Sequence, residues 1–186
     1  MAHSSQIHLA VDHPANAGIM RYLSGLQSVS VPACQDLPSS PPEAINDPYM
    51  NLGTHPELVA RLWDEITANL PVRCAWVVYG SPALVRPDTG IVFAFAGGTS
   101  TYALRLPAIA RAELAAAALR QAEERAGKFG LMGTARQKYL DAQSGNVHTY
   151  SDGSTFDISS VGKDWGFGRW LDGEVRWCRS AYEHAV

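Results

Sequence analysis

Between residues 75 and 106 the chain alternates short apolar runs with connections too short to do anything but reverse direction. Ala75-Trp76-Val77-Val78-Tyr79 is apolar and β-prone, Gly80-Ser81-Pro82 interrupts it, and Ala83-Leu84-Val85 resumes. Pro87-Asp88-Thr89-Gly90 is a turn tetrad, with Pro and Gly where turn dihedrals favour them. Ile91-Val92-Phe93-Ala94-Phe95 follows, then the turn Gly97-Gly98-Thr99-Ser100, then Tyr102-Ala103-Leu104-Arg105-Leu106. Parallel neighbours need a crossover of a dozen or more residues, so these strands are expected to pair antiparallel.

Helical patterns flank this meander. Thr54 and Glu57 are spaced as a capping box with Pro56 in the first turn. Leu58, Val59, Leu62, Trp63, Ile66 and Leu70 then share one helical face, and Pro71 stops it. Pro107 to Ala126 predicts a second helix, built on the Ala115–Ala118 run, and Ala135 to Ala142 a short third. Val147–Tyr150 and Thr155–Ile158 flank Asp152-Gly153, which predicts a second hairpin. A last helix is expected from Asp172 to His184, burying Val175, Cys178, Tyr182 and Ala185. The reading is an α+β domain over residues 51–186: an antiparallel sheet of four to six strands with helices packed on one face.

Residues 1–50 read differently. Val31-Pro32, Pro38-Ser39-Ser40-Pro41-Pro42 and Asp47-Pro48 favour extended chain and turns. Ile19, Leu23 and Leu26 share a helical face within Pro14–Gln27. This is an N-terminal arm, expected to lie over the core or over a partner.

Fifteen basic against 18 acidic side chains leave no cationic excess for phosphate-backbone binding, so nucleic acid is not the expected partner. No run approaches the roughly 20 apolar residues of a membrane span. The first residues lack the cationic and apolar regions of a secretory signal, so a cytoplasmic location is expected. Cys34, Cys74 and Cys178 are scattered without CxxC spacing, which predicts reduced thiols rather than a disulfide framework or a zinc site.

Catalytic motifs do not emerge. Gly97-Gly98-Thr99-Ser100 lacks the lysine and following helix of a phosphate loop. Tyr79-Gly80-Ser81-Pro82 is not a nucleophile elbow. His55, at the entry of the first core helix, reads as part of the helix start. The six histidines are dispersed, and Asp152 and Asp157 supply too few oxygens for a calcium loop, so no metal or cofactor is expected. The densest unusual feature is aromatic: Trp165, Phe167, Trp170 and Trp177, interleaved with Gly166, Gly168, Arg169 and Gly173. Such rings either form a recognition surface or seal the core beneath the last helix. Together with Arg105, His148 and Asp157, the residues Trp165, Phe167, Arg169, Trp170 and Trp177 are the candidate binding set.

Tyr79-Gly80-Ser81-Pro82-Ala83, Thr89-Gly90-Ile91-Val92-Phe93-Ala94-Phe95 and Ala103-Leu104-Arg105-Leu106-Pro107 resemble the sheet of the N-terminal domain of TfoX-type competence regulators and the related YjbR/MmcQ-like proteins. Trp170 through Ala181-Tyr182 is similar to the ending of many of them. The resemblance spans residues 54–107 and 164–186. Arg105 stands where those proteins usually carry lysine, 108–162 is longer, and the first 50 residues have no counterpart. The resemblance implies a regulatory or DNA-associated role and transfers no catalytic residue.

The expected function is a noncatalytic binding or regulatory module that contacts a protein partner or itself. The alternative is a small-molecule enzyme with its site between the sheet and the Trp-rich loop 165–177, using Arg105, His148, Asp157 and Arg169.

Overall fold

A computed structural model describes residues 8–26, 34–35, 54–97, 101–150, 152–168 and 173–186. In chain order the elements are α1 (Ala17–Gly25), β1 (Cys34–Gln35), α2 (Pro56–Ala60) continued by a π-helical turn (Arg61–Glu65), β2 (Ala75–Val78), β3 (Ser81–Val85), β4 (Val92–Gly97), β5 (Thr101–Arg105), α3 (Ala108–Lys128), α4 (Gly133–Ser144), β6 (Val147–Thr149), β7 (Thr155–Asp157), β8 (Trp165–Phe167) and α5 (Glu174–His184). Six strands form one sheet in the order β1-β2-β3-β4-β5-β8, every pair antiparallel, and β6-β7 form a separate hairpin. The α+β class and the antiparallel meander are those the sequence predicts.

Val78 faces Ser81, so only Tyr79 and Gly80 turn the first hairpin, with φ of 46° and 77°. Two positive φ values make a type I′ turn, whose twist matches that of the strands. Ser81 and Pro82, which the sequence presents as an interruption, therefore belong to β3. Proline is tolerated there because β4 pairs with β3 only from Ala83 onward. Further along, Leu84 faces Ala94 but Val85 faces Val92, leaving Phe93 as a bulge. The bulge turns Phe93 and Ala94 to one core, and Val92 and Phe95 to the other.

The sheet is thus buried on both sides. On one face α2, α3 and α5 bury Leu58, Leu62, Trp63, Leu114, Trp177 and Cys178 against Leu84, Phe93 and Leu104. These are the helices the sequence places on a single face. The arm helix α1 adds a layer on the other, where Ile19, Met20 and Leu23 meet Val85, Phe95 and Trp165. Of the arm, the described residues lie on the core; those beyond them fall outside the described residues.

Several local expectations shift. The helix at Pro56 is capped by His55, whose Nδ1 accepts from the Glu57 amide at 3.3 Å. Thr54 is one residue too early, and Glu57, second in the helix, does not occupy the third position a capping box needs. Trp165-Gly166-Phe167, read as part of a loop, is an edge strand on β5. On α5 the buried side chains are Glu174, Trp177, Cys178 and Ala181, whereas Val175 and Tyr182 are half-buried. The Tyr182 ring instead carries the Arg86 guanidinium at 4.7 Å.

Besides the apolar packing of α1, one polar side chain ties the arm to the sheet. Asn16 is fully buried. Its Nδ2 donates to the Ala10 and Gly90 carbonyls at 2.7 and 2.9 Å, and its Oδ1 accepts from the Val92 amide at 3.0 Å. Gly90, at φ +69°, lies so close to the arm that a Cβ there would sit 2.2 Å from the His8 carbonyl oxygen. We expect Asn16→Ala to lower stability by about 3 kcal/mol, because it strands buried backbone groups. The urea midpoint, at unchanged slope, measures this; a loss below about 1 kcal/mol would show that the arm is only resting there.

Candidate functional site

The largest of three described clefts opens on the arm side of the sheet. Its floor is a row across three strands: Phe95 faces Ala103, and Ala103 faces Phe167. A methyl group between two phenyl rings leaves a gap. One wall is Tyr22 of α1, stacked on Phe156 of β7 with ring centroids 4.6 Å apart and planes at 16°. Tyr150 faces Tyr22, and Leu26, Gly97 and Thr101 complete the rim. The cavity measures about 140 Å³, against about 20 Å³ for each of the other two. An apolar cavity of about 150 Å³ is known to accept benzene, so this one accommodates a single ring.

Two phenols, Tyr22 and Tyr150, face each other at the cleft. Burial, helped by the neighbouring Tyr150, pushes the Tyr22 hydroxyl up to about 12. The Tyr22 hydroxyl therefore stays protonated at neutral pH and serves as a hydrogen-bonding group. Trp165 supports the floor from beside Phe95, at 5.3 Å.

The sequence-derived candidates divide. Phe167 lines the cleft and Trp165 packs behind it. His148 borders it, 4.9 Å from the Tyr150 ring and 6.2 Å from Phe167. Trp177 lies on the opposite face, in the helix core. Asp157 caps the next turn, its Oδ1 accepting from the Ser159 amide at 2.9 Å. Arg169 and Trp170 lie outside the described residues. The sequence misses Tyr22, Phe95, Tyr150 and Phe156 as partners of Phe167. The aromatics straddling Asp152-Gly153 hint at a ringed hairpin, but nothing local connects them to Tyr22.

Arg105 enters a different cluster. It pairs with Asp164, and His184 Nε2 lies 3.6 Å from the same carboxylate. Asp164 and His184 are each one-third exposed, and the trio lines none of the three clefts. It clamps β5, the approach to β8 and the end of α5. A second ion pair, Arg61 with the buried Glu174, ties the π-helical turn to the start of α5. Glu174 lies against the Tyr102 hydroxyl, whose ionisation is strongly suppressed, first by burial and then by that carboxylate. Burial likewise raises both core thiols, Cys74 to about 12 and Cys178 further. Thiols so disfavoured as thiolates are poor nucleophiles. Among the described residues no three His, Cys, Asp or Glu side chains are grouped to hold a metal ion, and no helix is long and apolar enough to cross a membrane.

No protein-family model, curated protein or solved structure matches this chain.

Two outcomes follow from the ionisation pattern. Between pH 10 and about 12 the unfolded chain ionises Tyr22 while the folded chain keeps its proton, so stability falls with rising pH. Tyr22→Phe removes that component, and the decline in urea midpoint over this range should be shallower in the variant. An unaltered decline would mean that Tyr22 is not shielded. In thiol-reagent titrations near neutral pH, Cys74 and Cys178 should stay unlabelled in the native protein and react in urea. Rapid native labelling of either would contradict its burial.

Proposed function

We propose that the protein is a noncatalytic binding module that receives one aromatic group of a protein partner in the cleft floored by Phe95, Ala103 and Phe167. The ring-sized, ring-lined cavity carries this reading. Aromatic walls supply buried area and edge-to-face contacts, and the Tyr22 and Tyr150 phenols offer hydrogen bonds at the rim. A single anchor residue in a dry pocket is a common source of interface energy. A regulatory role of this kind also accommodates the resemblance to TfoX-type and YjbR-like proteins, and a cytoplasmic setting suits it.

The alternative of a small-molecule enzyme draws on the position of the same cleft, between the sheet and Phe167. Of the three described polar groups assigned to it, His148 borders the cavity. Arg105 and Asp157 are engaged elsewhere, and Arg169 lies outside the described residues. Binding without bond-making is the better account.

The probe is p-cresol, the side chain of tyrosine. At tenfold excess over its dissociation constant a native-state ligand adds about 1.4 kcal/mol, a rise in melting temperature of roughly 3 °C. Ala103→Val places two methyl groups in the cavity and should abolish the rise while leaving the fold intact. No saturable shift in the wild type up to about 10 mM p-cresol, or an equal shift in Ala103→Val, would remove the cleft as a receptor.

A further inference from the structure

Charge along α3, α4 and the following hairpin is segregated. Residues 125–138 contain Arg125, Lys128, Arg136 and Lys138 and no acidic residue, in a chain whose acidic side chains outnumber its basic ones. Residues 139–162 contain Asp141, Asp152 and Asp157 and neither Lys nor Arg. The basic segment is the corner between α3 and α4. There Phe129 is 66% exposed and Met132 81%. The Phe129 ring stands perpendicular to that of Tyr139, with centroids 6.0 Å apart. Lys128 is engaged by Glu124, while Arg125, Arg136 and Lys138 are exposed on the two helices that meet at this corner.

The acidic segment includes the β6-β7 hairpin, which supplies Tyr150 and Phe156 to the cleft. Asp152 and Asp157 are exposed on that hairpin. Hydrogen bonds from Ser154 and Ser159 respectively hold both carboxyls below the usual range, so both are charged at neutral pH. One part of the molecule is therefore a basic corner with an exposed phenyl ring, and another is a ring-sized cavity with one wall on a hairpin that carries two exposed carboxylates. The corner cannot reach its own cleft. It sits at the start of α4, and the 12 residues of that helix place it about 18 Å from the end leading to β6.

We infer that the cleft receives Phe129 from a second copy of this chain, with Arg125, Arg136 and Lys138 set against Asp152 and Asp157. This rests on the cleft being a ring receptor and names its partner. The contact joins two different patches, so it closes only by reciprocal exchange and otherwise propagates into longer assemblies.

Sedimentation of the full chain tests it. The wild type should self-associate at low salt, with the dissociation constant rising at least tenfold by 0.5 M salt as the charges are screened. Phe129→Glu and Asp152→Lys should each be monomeric. Mixed one to one they should associate again, because Phe129→Glu retains an intact cleft and Asp152→Lys an intact corner. Circular dichroism confirms that each variant is folded; should Asp152→Lys fail to fold, Ala103→Val serves as the cleft variant. A monomeric wild type at low salt overturns the inference, as does self-association that survives Phe129→Glu, or a mixture that stays monomeric. Monomeric wild type bound to vesicles of phosphatidylcholine with phosphatidylglycerol would assign the corner to lipid instead and overturn it as well. If p-cresol still binds a monomeric wild type, only the partner is wrong and the cleft keeps its role.

Discussion

Asn16 is a polar side chain with no exposed surface, satisfied by three backbone groups from two separate stretches of chain. Two of those groups belong to the start of β4 and the turn before it. That turn is tied on its other side as well. Thr89 Oγ1 donates to the Ala185 carbonyl at 2.9 Å, and Arg86 donates to the Tyr182 carbonyl at 3.2 Å. Both acceptors lie at the end of α5, where helix carbonyls lack partners. One five-residue turn thus joins the arm, the sheet and the last helix. The arm buries Leu9, Ile19, Met20 and Leu23 against the sheet, and the hydrogen bonds of Asn16 set the position at which α1 lies on it. The wall of the cleft depends on that placement, because Tyr22 is carried by α1.

A sheet covered on both faces has consequences for its polar groups. Strands here are buried along nearly their whole length, so charged side chains concentrate at the margins. Arg61 and Glu174 meet where the π-helical turn reaches α5, and Arg105, Asp164 and His184 meet where β5 ends and β8 begins. A buried ion pair is weak evidence of stability, but losing one partner of it is costly. Both clusters therefore act as fasteners between elements. His, Arg and a carboxylate do converge in this molecule, yet away from the cleft and partly in solvent. That is the arrangement of a clamp. The cleft, by contrast, is lined by rings and phenols, with His148 at its border.

The Trp-rich stretch divides between the two faces of the sheet. Trp165 and Trp177 are only 12 residues apart but enter opposite cores, because β8 lies at the sheet edge and α5 packs over one face. Phe167, two residues from Trp165 on the same side of β8, extends past the packed interior and lines a cavity. Alternation along a strand decides which side a ring enters; position across the sheet decides whether it is covered.

The sequence by itself determined most of the elements and the pairing sense of the meander. Short turns forced antiparallel strands, Asp-Gly marked the β6-β7 hairpin, and the Leu58–Ile66 periodicity marked a buried helical face. These are local matters, settled by neighbours a few residues apart. It also contained the charge segregation of residues 125–162, since charge is legible without a fold. Tertiary structure alone decided that α1 covers the second face, that Phe93 bulges, and that Ala103 sits between two phenyl rings. It alone brought Tyr22 to Phe156 across more than a hundred residues. The physical reason is that a cavity is a property of packing among distant side chains, and no single segment carries its imprint.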